Sequence, residues 1–170
     1  MILHLIRHPK PLVGPGICYG RLDISAENIA AVADDLRANL PSGLPLWSSP
    51  LQRCRKLAEL LNPNLVIDER LMEMDFGAWE GRSWDDIPRP ELDAWAADVA
   101  GYAPPGGESP LALQQRALDF VAGLTVPEAV IVTHAGVIRV LLAYWQGLPP
   151  ARWTSLVLDY ASCTRVDLAR

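Results

Sequence analysis

An arginine and a histidine stand side by side at positions 7 and 8, directly after an opening apolar run from Met1 to Ile6. A guanidinium can hold a phosphate through two parallel hydrogen bonds, and an unprotonated imidazole beside it can attack the phosphorus. Such a pair is also common as a plain solvated strand end, so this chemistry needs a second phosphate clamp, a proton donor and another imidazole. Arg53, Glu73 and His134 are the residues available for those tasks.

These groups are useful only if the fold brings them together. Short apolar runs alternating with helical stripes predict an α/β fold: a three-layer open, mostly parallel sheet with helices on both faces. Ile2 to Ile6 and Ala129 to Thr133 read as buried strands, Leu44 to Trp47 and Leu65 to Ile67 as short strands, and Thr164 to Leu168 as a half-exposed edge strand. Ser25 is expected to cap a helix striped by Ile29, Val32, Ala33, Leu36 and Leu40. Ser49, Pro50 and Gln52 spell a helix start with an S-x-x-Q capping box, and Leu51, Cys54, Ala58 and Leu61 share one face of that helix. Ser109-Pro110 opens a helix with Leu113, Ala117, Phe120 and Leu124 inward, and Val137, Val140, Leu141, Tyr144 and Trp145 stripe the helix that Gly147 and Pro149 close. About residues 82–105 the chain turns acidic and rich in tryptophan and proline. This reads as a lid segment, with a short helix near Glu91 to Val99, inserted in a single domain spanning 1–170.

The totals fit that reading. The 170 residues are enough for one domain with a substantial core, half of them are apolar and 21% are charged. A net charge of −5 argues against non-specific binding to nucleic acid, and every apolar run is interrupted well short of a membrane span. Arg7 and His8 cut the first apolar run after six residues, unlike a secretory leader. Cys18, Cys54 and Cys163 are odd in number and widely spaced, giving no metal or disulfide framework, so a reduced cytoplasmic setting is expected. The oligomeric state stays open, a homodimer included.

In a parallel sheet every strand's carboxyl end lies on one edge, where ligands bind. Arg7 and His8 follow the first strand, Arg53 the second, Glu73 the third, and His134 ends the fourth, so all converge on one crevice. The helix starting near Gly136 should aim free N–H groups at the same place, a further anion site.

Leu5-Ile-Arg-His8, Ser49-Pro-Leu-Gln-Arg-Cys54, Leu71 to Gly81, Gly106-Gly-Glu-Ser109 and Val132-Thr-His-Ala-Gly136 together resemble the histidine phosphatase superfamily, the phosphoglycerate-mutase-like group. With Gly16-Ile-Cys-Tyr-Gly20 and Asp23, the chain looks most like its α-ribazole phosphatase branch, which acts late in cobalamin synthesis. The pattern departs from the family at Pro9, where glycine is usual; proline removes one N–H from the phosphate pocket and biases His8 towards extended backbone. Val13 and Gly14 also stand where many members carry an asparagine.

The resemblance implies a metal-independent phosphomonoester hydrolase that needs no cofactor. Arg7, Arg53 and His134 would bind the phosphoryl oxygens, His8 would form a phosphohistidine, and Glu73 would be general acid and then base. Two other carboxylates compete with Glu73: Glu80, which reads as structural or surface, and Glu108, which precedes a helix cap where negative charge is stabilising in itself. Tyr19 either touches substrate or shapes its loop. Trp84 and Trp95 either stack on a flat base such as dimethylbenzimidazole or anchor the lid to the body. His4 and Cys18 read as core. The expected substrate is α-ribazole 5′-phosphate. Two alternatives are a broad phosphatase for small sugar or nucleotide monophosphates and, given Pro9, a non-catalytic phospho-ligand binding module.

Overall fold

A computed structural model of the chain describes residues 1–168. The five strands are β1 (Ile2–Arg7), β2 (Leu46–Ser48), β3 (Val66–Ile67), β4 (Glu128–Thr133) and β5 (Cys163–Asp167), and the sheet order is β3-β2-β4-β1-β5. β1 to β4 run parallel, and β5 pairs antiparallel with β1 at one edge. The helices are α1 (Ile29–Asn39), α2 (Gln52–Leu61), α3 (Arg89–Ala97), α4 (Pro110–Ala122) and α5 (Ala135–Trp145).

Period-two alternation in the central strands sorts the core into two layers. Leu3, Leu5, Ala129 and Ile131 pack against α4 and α5, while Ile6, Val130 and Val132 face α1 and α2. The α/β expectation therefore holds, with helices on both faces and a mostly parallel sheet. β5 alternates exposed and half-buried residues, as an edge strand with one wet face should.

Several local signals resolve differently from their sequence reading. Ser25 does not cap α1. That helix starts after Asn28, which takes a left-handed backbone, and the Ser25 hydroxyl accepts from Lys56 instead. The capping box before α2 does not form, because the Ser49 hydroxyl lies against His134 and the Gln52 amide reaches Asp23. Asp23 accepts from the Gln52 N–H at 2.6 Å and so caps α2 from a distant loop. Ser109 does cap α4, accepting from the Ala112 N–H at 3.2 Å. The helix between residues 82 and 105 starts at Arg89, two residues before the expected Glu91, with Pro90 in its first turn. Tyr144 points outward, 58% exposed, and so leaves the inner stripe of α5.

Candidate active site

The register of the central strands assembles the site. Arg7 pairs with Thr133 across β1 and β4, and Ser48 pairs with Val132 across β2 and β4. The next residue of each strand, His8, His134 or Ser49, therefore leaves the sheet at the same edge. The His8 N–H donates to the Thr133 carbonyl and the Ser49 N–H to the Val132 carbonyl, each at 3.0 Å, which holds these exits together. The two imidazole rings meet edge to face with centroids 5.1 Å apart.

His8 is buried, and its Nδ1 lies 2.6 Å from the Pro9 carbonyl. A carbonyl can only accept, so Nδ1 carries the ring proton and Nε2 keeps its lone pair. Burial pushes the His8 pKa down to about 3; the Pro9 hydrogen bond opposes this, and the positive Arg53 and Arg7 add to it. Pro9 thus withholds an N–H but supplies the acceptor that orients the ring. His134 is wholly buried and held well below the usual imidazole range, first by burial and then by Arg53 and His8. Its Nε2 lies 2.8 Å from the Ser49 hydroxyl, with the Cys54 thiol at 3.4 Å.

The two arginines are fixed by backbone carbonyls. Arg7 donates to Leu158 at 2.5 Å, and its guanidinium lies under the Tyr160 ring, 3.7 Å from the centroid. Arg53, wholly buried, donates to Leu22 at 2.7 Å and Gly20 at 2.5 Å. In both residues the Nε–H is buried and unpartnered among the described residues. The hydroxyls of Tyr160 and Tyr19 meet at 3.0 Å, bridging the two arginine-bearing sides.

Glu73 lines the same cavity as Arg7 and His8. Its carboxylate accepts from the Met74 N–H at 2.9 Å and from the Gly136 N–H at 3.1 Å. The amino end of α5, expected to be a free anion site, is therefore occupied by a side chain of the protein itself. A Cβ at Gly136 would lie 2.1 Å from a Glu73 oxygen, so only glycine allows this approach. Behind it Arg116 donates to the Arg70, Met72 and Glu73 carbonyls and to Glu108, clamping the segment that carries Glu73. Glu108 and Glu80 both hold backbone: Glu108 accepts from Asp75, and Glu80 accepts from Gly20, Arg21, Leu22 and Phe76.

A cavity of about 300 Å³ opens beside His8. Of the residues singled out in the sequence, Arg7, His8, Tyr19, Glu73, Trp84 and Trp95 line it, while Arg53 and His134 are wholly buried beside His8. Its far wall is apolar and aromatic, with Phe76, Trp84, Trp95 and Trp153. Trp84 and Trp95 stack on each other, 10° from parallel, and pack with Trp79. They therefore tie the 82–105 segment to the body and also face the cavity. His4 pairs with Glu128 at 2.8 Å, and Cys18 is buried, both away from the cavity lining. Tyr160 and Arg116 had no sequence signal for their positions, and Ser49 reads in the sequence as a helix cap and not as a partner of His134. Each depends on a contact with a residue far along the chain.

Among the described residues there is no cluster of His, Cys, Asp and Glu able to hold a metal ion, and no helix long and apolar enough to cross a membrane. The arrangement can neutralise a tetrahedral anion, present an imidazole lone pair to it and offer a carboxyl group for proton exchange in the same cavity.

The family model of the histidine phosphatase superfamily (branch 1) matches residues 3–170. The glucosyl-3-phosphoglycerate phosphatase of Mycobacterium tuberculosis H37Rv is 32% identical over 180 residues, 91% of this chain and 79% of its own length. The adenosylcobalamin/alpha-ribazole phosphatase of Escherichia coli K12 is 30% identical over 172 residues, covering 94% of this chain and 79% of that one. The crystal structure of phosphoglycerate mutase from Thermus thermophilus superposes with a TM-score of 0.81 at 35% identity, covering 100% of this chain and 95% of that one. The chain thus belongs to the histidine phosphatase superfamily, branch 1, and is a phosphatase.

Proposed function

We propose that the chain hydrolyses small phosphomonoesters through a phosphohistidine formed on His8. The observation that carries this reading is the His8 ring itself: Nδ1 is tied to the Pro9 carbonyl, which leaves Nε2 its lone pair, and the ring packs against His134 within the positive field of Arg53 and Arg7. In the first step Nε2 attacks phosphorus, the bond to the ester oxygen breaks, and Glu73 gives its proton to the departing alkoxide. Arg7, Arg53 and the His134 ring hold the phosphoryl oxygens as charge spreads over them. In the second step the Glu73 carboxylate takes a proton from water, whose oxygen attacks phosphorus and releases His8. Rapid quenching with ³²P-labelled ester should trap label on wild-type protein and none on His8→Ala. Bound but never covalent label would make the chain a phospho-ligand binding module instead.

For the substrate, the aromatic wall of Phe76, Trp84 and Trp95 supports an ester with a flat apolar alcohol, of which α-ribazole 5′-phosphate is the leading candidate. The name of the Escherichia coli relative points the same way. One observation favours a second reading. Arg139 lines the cavity with a buried Nε–H that has no partner among the described residues, which suits a sugar or acid ester bearing a second acceptor. A panel containing α-ribazole phosphate, sugar phosphates and nucleoside monophosphates separates the two. Rapid turnover of sugar phosphates beside indifference to the ribazole ester would exclude the leading substrate.

A further inference from the structure

Arg53 is a wholly buried cation that takes part in none of the ion pairs among the described residues. A buried charge without a counter-charge is costly, and a carboxylate set directly against it would compete with phosphate for its donors. The chain avoids both problems through the loop from Gly20 to Asp23. Two terminal nitrogens of Arg53 donate to the Gly20 and Leu22 carbonyls. On the other side of the loop the Glu80 carboxylate accepts from the Gly20 and Arg21 N–H groups at 2.9 Å and from Leu22 at 3.2 Å. One peptide unit is shared: the Gly20 carbonyl faces Arg53, while the Arg21 N–H of the same amide faces Glu80. An amide whose N–H binds a carboxylate is polarised, and its oxygen becomes a stronger acceptor.

The geometry is closely held. A Cβ at Gly20 would lie 1.9 Å from the Met74 carbonyl and 2.8 Å from a Glu80 oxygen, so a larger residue would push the loop away. At the loop's other end Asp23 is fixed to the start of α2 by the Gln52 N–H. Glu80 itself follows Trp79, whose indole is buried and donates to Glu91.

We propose that Glu80 is a positioning residue for Arg53. It supplies the guanidinium's counter-charge across the Gly20–Arg21 peptide, sets its orientation, and leaves its remaining N–H groups to the phosphoryl group. This rests on Arg53 being a phosphate ligand, as in the function proposed above.

The test is a double-mutant cycle read by vanadate binding, which requires no turnover. Glu80→Gln should weaken vanadate about tenfold, a coupling typical of residues in one hydrogen-bond network. In an Arg53→Ala background the same change should cost less than about twofold, since the group it acts through is gone. With p-nitrophenyl phosphate, Glu80→Gln should raise KM and lower kcat together. An equal vanadate loss in both backgrounds, or none in the wild type, would overturn the assignment. If the Gln variant does not fold by circular dichroism, Glu80→Asp enters the same cycle; it keeps the charge but withdraws it by one methylene, and a smaller, equally non-additive loss is expected. A chain that binds vanadate but traps no phosphoenzyme would defeat the hydrolytic mechanism and leave this relay standing. Arg53→Ala with unchanged vanadate affinity would defeat both.

Discussion

At the scale of single residues, burial does more for His8 than either neighbouring arginine. It holds the pKa down to about 3, so the ring stays neutral throughout the physiological range. The His8 ring signals should therefore show no titration between pH 8 and 5 by NMR, and a midpoint near 6.5 would contradict the geometry. Arg53→Ala should cut kcat/KM for any phosphomonoester by about 10²-fold or more, as expected for a group that stabilises developing charge. An unchanged kcat would remove Arg53 from the phosphate site. The positions of Arg7, His8 and His134 at one sheet edge were legible because each stands at the end of a recognisable strand, whereas Arg53 lies in the first turn of α2 and Glu73 follows a strand of only two residues. The position of Tyr160 was not legible. It lies in an irregular turn before β5, and it reaches the site through Arg7 and through the hydroxyl of Tyr19, 141 positions away.

At the scale of elements, helix ends illustrate both what patterns reveal and what they hide. The Ser109-Pro110 start of α4 was legible because the cap is local: hydroxyl and N–H belong to the same turn. Ser109→Ala should therefore cost about 1 kcal/mol of stability by urea unfolding and leave kcat unchanged. The starts of α1 and α2 were misread because their serines have tertiary partners, Lys56 for Ser25 and His134 for Ser49. Local signals could not show that competition. The amino end of α5 is the functional case. Gly136→Ala would drive a methyl group into the Glu73 carboxylate. It should slow hydrolysis of alkyl phosphates by about 10²-fold, the scale of general acid–base help, and p-nitrophenyl phosphate far less. Equal losses on both would mean that Glu73 does not protonate the leaving group.

At the scale of the whole molecule, the site has a cost that depends on pH. His8 has a folded pKa of about 3, below its unfolded value near 6.5, so the unfolded chain binds the extra proton. Its neutral, buried state costs no stability above pH 6.5. As pH falls from 6.5 towards 3, stability drops by up to about 1.4 kcal/mol per pH unit from this residue, and His134 acts in the same direction. Urea midpoints should therefore fall steeply between pH 6.5 and 4.5, with a shallower slope in His8→Gln. An identical slope in the two proteins would mean that His8 is already solvated in the native state. The layered α/β architecture itself was legible, because β1 and β4 are short, mainly apolar runs rich in Leu, Ile and Val, and helical stripes alternate with the strands.

The place of β4 in the sheet has a further consequence. β1 and β2 form early in the chain yet do not touch; the strand between them begins only at Glu128, long after β2 has ended at Ser48. Until it arrives, β1 and β2 each keep an unsatisfied edge, and the two imidazoles have no reason to meet. Refolding should thus be governed by a late, long-range insertion step, in keeping with the slow closure of non-local strand pairs. Recovery of enzymatic turnover after dilution from denaturant should track burial of Trp47 on β2, and a nascent chain released before residue 128 should remain inert and prone to self-association through its open slot.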